Sequence, residues 1–336
     1  MARRDGRVGV VVLALAALLT ASCCLPIPQQ NERNPSGLFV VNVDGRAGYI
    51  DRAGKLVIQP QFDRGYGFTQ GLAVVQVGNR FGFIDERGRF VINPQYDDAF
   101  SFYEGLAAVK RGDRLGYVDR EGELVIPLQF EQAGDFSQGL ARIGIGGRAG
   151  YVDRKGRIVI NPVYATARKF SEGLALVQTE SGWGYIDREG QMMIPPRSDV
   201  AEAYDFAEGR ALVKGGDHYG FIDKKGAWAI QPQFDGGYSF SEGLATVSVG
   251  GQGGYVDKKG KVVIPPQFAA VAPFADGLAR VKVGERWGYI DKKGRIAIDP
   301  QFDEAFDFNG GLAEVTVGGA RGYIDRKGRF VWNPSK

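Results

Sequence analysis

Hydrophobic and polar residues alternate along this chain in short runs, each closed by a turn signal. Residues 72–92 show the pattern: Leu72-Ala73-Val74-Val75-Gln76-Val77, then Gly78-Asn79-Arg80, then Phe81-Gly82-Phe83-Ile84-Asp85, then Glu86-Arg87-Gly88, then Phe90-Val91-Ile92. Runs rich in β-branched and aromatic residues, bounded by Gly, Asn and Asp, predict strands. Three such runs with two turns predict a three-stranded antiparallel meander.

The meander recurs. A segment beginning Gly-(Tyr/Phe)-(Ile/Val)-Asp stands at Gly48, Gly82, Gly116, Gly150, Gly184, Gly220, Gly254, Gly288 and Gly322, in steps of 34 residues with one step of 36. A fixed period of this size marks a repeat array, in which each unit buries its apolar face on the next. The few large apolar side chains of one unit do not offset the entropy of ordering it, so a single unit is not expected to fold alone. The expectation is an all-β tandem array of nine three-stranded antiparallel meanders. An open curved solenoid is favoured over a closed propeller-like ring, because a propeller blade ordinarily has four strands and a longer period, and no strand is evidently shared between the two ends.

Turn chemistry accounts for much of the repeat. Asp85 and Gly88 have counterparts in every unit, from Asp51 and Gly54 to Asp325 and Gly328. Asp accepts hydrogen bonds from its own turn, and Gly supplies a left-handed residue without steric cost. A Pro follows the third run (Pro60, Pro94, Pro127, Pro162 and onward) and is expected to stop that strand. An aromatic usually follows two residues on (Phe62, Tyr96, Phe130, Tyr164), and the stretch from it to a further recurrent Phe (Phe68, Phe102, Phe136, Phe170) reads as a crossover pinned onto the core at both ends, with room for a short helical turn.

The N-terminus reads differently. Met1–Arg7 carries three Arg, Val8–Leu19 is an apolar run too short for a comfortable membrane span, and Leu19-Thr20-Ala21-Ser22-Cys23 follows. This stretch resembles a bacterial lipoprotein signal, which implies residues 1–22 as signal peptide, Cys23 as the lipid-bearing residue, 23–36 as a Pro-rich flexible tether and 37–336 as the repeat domain. The implied location is outside the cytoplasm, membrane-anchored and facing the periplasm or the cell surface. Cys23 and Cys24 are the only cysteines, so the repeat domain has no disulfide and no thiol chemistry.

Trp183-Gly184-Tyr185-Ile186-Asp187 and Trp287-Gly288-Tyr289-Ile290-Asp291, with Glu172-Gly173-Leu174-Ala175 and Glu242-Gly243-Leu244-Ala245, resemble the bacterial WG-repeat (KWG-repeat) family. The resemblance covers about nine-tenths of the chain. The named Trp is present in two units only, its place being held by Ala47, Phe81, Leu115, Ala149, Tyr219, Gly253 and Arg321 in the others. The family implies a repeat fold in secreted and surface proteins, and no shared catalytic activity.

Candidate chemistry is sparse. Eight of the nine turn Asp residues precede Arg or Lys, which opposes a calcium ladder. His218 is the single histidine, and no distinctive pair of carboxylates accompanies it for acid–base work. Gly-rich stretches such as Gly250-Gly251-Gln252-Gly253 lack the Lys-Ser/Thr of a phosphate cradle. No enzyme activity, cofactor or metal is expected. With 42 basic and 39 acidic residues the charge is nearly balanced, so its arrangement matters more than its sum. The two residues after each turn Asp and the one after each turn Gly include 20 basic and four acidic residues among 27 positions. Aligned tips would form a basic ridge on one rim, with Lys258, Lys259, Lys292 and Lys293 as candidate contacts. Acidic residues near the crossovers (Asp63, Asp97, Glu172, Glu242) would line the other rim. The function expected is a non-enzymatic envelope lipoprotein that binds or scaffolds another envelope protein or an anionic cell-wall polymer, and not nucleic acid. The alternative is a carbohydrate or cell-wall-binding module that stacks sugars on Trp183, Trp228 and Trp287.

Overall fold

The computed structural model describes residues 34–335. Among these residues all regular structure is β, in 35 strands. Sheet 1 contains β1 (Phe39–Val43), β2 (Arg46–Ile50) and β3 (Leu56–Phe62); sheet 2 contains β4 (Arg64–Gly65), β5 (Leu72–Val77), β6 (Arg80–Asp85) and β7 (Phe90–Tyr96). Seven further four-stranded sheets follow in chain order, each an antiparallel meander. Eight of the nine sheets thus have four strands, not three.

The fourth strand comes from the stretch expected to be a crossover. Pro60 does not end β3, which runs on to Phe62. Tyr49 pairs with Ile58 and Ala47 with Phe62, so three residues of β3 face one of β2 and the strand bulges there. Pro fits this bulge because the ladder needs no donor from it. The bulge also explains the invariant Gly of β2: a Cβ on Gly48 would lie 2.7 Å from the Ile58 carbonyl oxygen and from Pro60 N. Immediately after Asp63 the chain pairs Arg64 with Gln76 and Gly65 with Val75, opening the next sheet. There is no helical turn. A two-residue hairpin then leads into β5: Thr69 and Leu72 exchange both backbone hydrogen bonds, and Gln70 and Gly71 both have positive φ, 49° and 81°, as a type I′ turn requires.

Sheets pack face to face in sequence. The aromatic after the invariant Gly meets the recurrent Phe of the next sheet in all eight pairs from Tyr49–Phe68 to Tyr289–Phe308, with ring centroids 4.8–5.0 Å apart. Such tilted or edge-on contacts favour aromatic pairs beyond simple burial. The buried phenols of Tyr49, Tyr117, Tyr185 and Tyr289 donate across the same junction to backbone carbonyls of Tyr66, Gly134, Tyr204 and Phe306. The recurrent Ala of the second strand position (Ala73, Ala141, Ala175, Ala211) is buried between the layers, where a larger side chain would separate them.

The array closes on itself, which overturns the preference for an open solenoid. An open stack of nine sheets has eight interfaces, but here there are nine apolar clusters. Eight join consecutive sheets; the ninth joins Phe39, Val41 and Ile50 of sheet 1 to Leu312, Tyr323, Val331 and Trp332 of sheet 9. Phe39 and Tyr323 stand 5.6 Å apart, and the Asn34 N–H donates to Asn309 Oδ1 at 2.8 Å. The fold is a nine-bladed β-propeller whose seam is closed by side-chain packing and not by a shared strand.

Candidate interaction face

Strand direction sorts the turns onto two faces. In a four-stranded meander the first and third hairpins lie on one side and the second hairpin, with the link to the next sheet, on the other. The Asp-x-x-Gly turns (β6–β7 type) therefore share a face with the two-residue β4–β5 hairpins.

On this face each Asp-x-x-Gly turn is self-contained. Asp85 Oδ1 accepts the Arg87 and Arg89 N–H groups, and the Gly88 N–H donates to the Asp85 carbonyl. In four turns an Arg after the Gly also grips the Asp: Arg89, Arg157, Arg295 and Arg329. The Arg295 side-chain hydrogen bond, working against slight desolvation, holds the Asp291 carboxyl below its usual range. These aspartates are turn anchors, and among the described residues no cluster of three or more His, Cys, Asp or Glu has metal-site geometry.

The first residue after the turn Asp reaches back to the preceding sheet. Lys224, Lys258 and Lys292 pair with Glu172, Glu208 and Glu242 at 3.2, 2.9 and 3.1 Å. Those glutamates head the two-residue hairpins and also reach forward. Glu172, Glu208 and Glu242 accept the N–H groups of Gly209, Gly243 and Gly277 in the following sheets. Gln70, Glu104, Gln138 and Asp276 do the same for Gly105, Gly139, Gly173 and Gly311. A belt of side-chain acceptors thus ties sheets 2 to 9 in succession. At the seam Gly310 takes this place without a side chain, and Asn309 bonds Asn34 instead.

The candidate lysines consequently divide. Lys258 and Lys292 are engaged in the belt, whereas Lys259 and Lys293, one residue on, are exposed, and their ammonium groups make no ion pair or hydrogen bond with any described residue. Next to the seam the same face has a hollow of about 700 Å³ lined by Arg52, Lys292, Arg326, Glu242 and Asp276.

The acidic residues do not gather on one rim. The belt glutamates lie on the basic face. Asp63, Asp97 and Asp303 lie opposite, where each links two sheets by pairing with Arg46, Arg80 or Arg286 and accepting the N–H of Gly78, Gly112 or Gly318.

The candidate tryptophans are half-buried. Trp183 and Trp228 pack against the cluster between sheets 5 and 6, and Trp287 against that between sheets 8 and 9. Arg197 covers Trp228 at 5.2 Å and Arg280 covers Trp287 at 5.4 Å, so one ring face of each already has a cationic partner. Cys23 lies outside the described residues. His218 is an exposed tip residue whose Nδ1 lies 3.7 Å from Asp235.

Two half-buried aspartates carry no signature in the sequence. Desolvation raises the pKa of both Asp135 and Asp205, opposed by the charge of Lys169 and, for Asp205, also of Arg168. Asp205 Oδ1 has no hydrogen-bond partner. Both sit at a position that holds Gly67 and Ser101 in other sheets, so the repeat itself offered no signal. The belt was more accessible, since Glu-Gly-Leu-Ala recurs, but its role needed the spacing between sheets.

The WG-containing repeat matches residues 48–81, 81–114, 116–148, 150–181, 183–217, 219–252, 254–287 and 287–319 in tandem. The chain belongs to the WG-containing repeat family. Each matched repeat starts in the strand that precedes the Asp-x-x-Gly turn and ends at or just before the corresponding strand of the next sheet, so the WG repeat is offset from the structural sheet. Eight repeats and their flanks therefore make nine sheets. No curated protein matches the chain. Among solved structures, the crystal structure of the eukaryotic initiation factor superposes with a TM-score of 0.65 at 10% identity, covering 88% of this chain and 94% of that one. Dihydro-heme d1 dehydrogenase NirN in complex with DHE superposes with a TM-score of 0.50 at 14% identity, covering 92% and 76%. At these identities the likeness is one of fold alone.

Proposed function

We propose that this WG-repeat propeller is a non-enzymatic envelope lipoprotein, carried on lipid at Cys23 and acting as a protein-binding or scaffolding module. The observation that supports this reading is the division of labour within the repeat. The recurrent Asp, Gly, Tyr, Phe, Ala and Pro are committed to turns, bulges and sheet junctions. What differs from sheet to sheet is the set of exposed tips, as at Ala53, Arg87, Glu121, Lys155 and Lys259. A rigid frame presenting a variable charged surface suits binding better than chemistry. The partner is another envelope protein or an anionic cell-wall polymer, and not nucleic acid.

Cross-linking in native membranes tests the scaffold: an unchanged set of cross-linked partners in a Lys259→Glu/Lys293→Glu variant would count against the lysines. For the anchor, Cys23→Ser should abolish palmitate incorporation and release the protein from the membrane fraction. The carbohydrate reading has weaker support, because arginines occupy one face of Trp228 and of Trp287; a glycan array without binding would remove it.

A further inference from the structure

We propose that the basic face of the ring docks on an anionic lipid surface, that of the membrane to which Cys23 would tether it. The inference rests on the lipoprotein reading for the tether, but its own argument is geometric and electrostatic.

The two faces carry opposite charge at their tips. On the Asp-x-x-Gly face, Lys225, Lys259, Lys293 and Lys327 occupy the same tip position on four consecutive sheets. All four are exposed, and their ammonium groups make no ion pair or hydrogen bond with any described residue. The belt already pairs Lys224, Lys258 and Lys292 with glutamates, whereas these four remain outside it. The corresponding positions in the first five sheets are Ala53, Arg87, Glu121, Lys155 and Glu189, so the unpaired charge is concentrated in one arc. The opposite face is the reverse. Its two-residue tips include Asp44, Asp113, Glu180, Asp217 and Glu285 and no Lys or Arg, and the adjacent Arg46, Arg80 and Arg286 are paired with Asp63, Asp97 and Asp303. An anionic surface would attract the first face and repel the second, orienting the ring.

The hollow beside the seam adds a specific feature. At Gly310 the belt position has no side chain, so Arg52 meets no belt acceptor from the preceding sheet and lines a hollow together with Arg326, Lys292, Glu242 and Asp276. A lipid phosphate entering there would meet Arg52, Arg326 and Lys292 beside the Glu242 and Asp276 carboxylates, which already accept the Gly277 and Gly311 N–H groups.

Chain geometry points the same way. Asn34 is held by Asn309 at the belt, on the basic face. Cys23 precedes it by 11 residues, a span of at most about 40 Å when fully extended. A lipid at Cys23 therefore keeps the face from which the chain departs close to the leaflet, raising its effective concentration there. Partners would then meet the opposite face.

Vesicle co-sedimentation of the full-length chain bearing Cys23→Ser tests this without the lipid. The probes are phosphatidylcholine vesicles and phosphatidylcholine vesicles with one-third phosphatidylglycerol, at low and high salt. Each lysine near such a surface is worth about fivefold in binding. The parent should favour the anionic vesicles at low salt, and Lys225→Glu/Lys259→Glu/Lys293→Glu/Lys327→Glu should remove at least tenfold of that preference. Both proteins share residues 1–33, so only their difference counts. Thermal unfolding should be nearly unchanged, because the substituted ammonium groups make no ion pair or hydrogen bond with any described residue. Equal binding to both vesicle types, or a variant that keeps the parent's preference, would overturn docking. Failure of palmitate labelling at Cys23 would instead remove the anchor and leave the vesicle result standing.

Discussion

The Tyr323 hydroxyl donates to the Val40 carbonyl at 2.9 Å, joining the ninth sheet to the first across 283 residues of sequence. In sheet 2 the equivalent carbonyl, that of Val74, accepts the Tyr66 N–H beside the short first strand. At the seam a side chain from the far end of the chain takes over that role. Closure thus depends on a few residues that have no covalent neighbour across the gap.

Those residues should carry measurable stability. Phe39→Ala removes the aromatic that meets Tyr323 and should cost ~3–5 kcal/mol. Tyr323→Phe keeps the ring and removes only the hydroxyl, with its bonds to the Val40 carbonyl and, at 3.4 Å, to Glu314 Oε2, and should cost ~1 kcal/mol. Urea unfolding compares the two. A Phe39→Ala protein with the parent's midpoint and a compact scattering profile would mean that the seam does not hold the ring.

The invariant Gly and the tip Gly should respond unequally to the same methyl group. A Cβ at Gly116 would lie 2.4 Å from the Ile126 carbonyl oxygen and 2.7 Å from Pro127 backbone atoms. Backbone on the bulged strand must move, so Gly116→Ala should cost ~3 kcal/mol. At Gly112 the added carbon meets nothing within 4 Å, although φ is +60°, so Gly112→Ala should cost ~1–2 kcal/mol from backbone strain alone. Equal thermal shifts for both variants would refute the bulge explanation.

The belt needs an acceptor more than it needs a charge. Gln70 and Gln138 perform the same bond that Glu242 makes to the Gly277 N–H. Glu242→Gln should therefore change stability by about 1 kcal/mol or less, since it keeps the acceptor and weakens the partly buried pairing with Lys292. Glu242→Ala should cost ~1–3 kcal/mol by leaving the amide without its charged acceptor. Hydrogen exchange at Gly277 checks the mechanism: its protection should survive in the Gln variant and fall in the Ala variant.

Asp205 gives the ring a pH dependence of unusual sign. Burial raises its pKa in the fold, only partly offset by Arg168 and Lys169. The folded state then binds its proton more tightly than the unfolded chain does. Its contribution is most favourable below the ordinary aspartate pKa and is lost as pH rises toward the folded value. Asp205→Asn should be more stable than the parent at pH 7, with the gain disappearing below about pH 4. A gain that persists undiminished at low pH would show that the carboxyl's ionisation is not responsible.

Local physics made much of this protein legible from its sequence. The period, the strands, the Asp-x-x-Gly turns and the all-β class follow from contacts between residues a few positions apart, and the structure retains them. The reading of Pro60 as a strand terminus failed, because a bulge tolerates a residue without an N–H, and the strand continues to Phe62. The short strand at Arg64–Gly65 was hidden because two residues carry no periodicity, and Gln70-Gly71 lacks the familiar Asn-Gly of a tight hairpin. Likewise Glu242 and Lys292 stand 50 residues apart, and only the stacking of sheets brings them together.

From the amino-acid order alone come the unit and the number of times it recurs, since each unit's turns and apolar faces are set by its own neighbours. Whether nine units form a coil or a circle is decided by the angle between successive sheets, which accumulates over the whole array and is set by how rings such as Tyr289 and Phe308 meet. Tertiary packing alone made that angle a ninth of a turn, and so brought Phe39 to Tyr323 and placed the unpaired lysines together on one face.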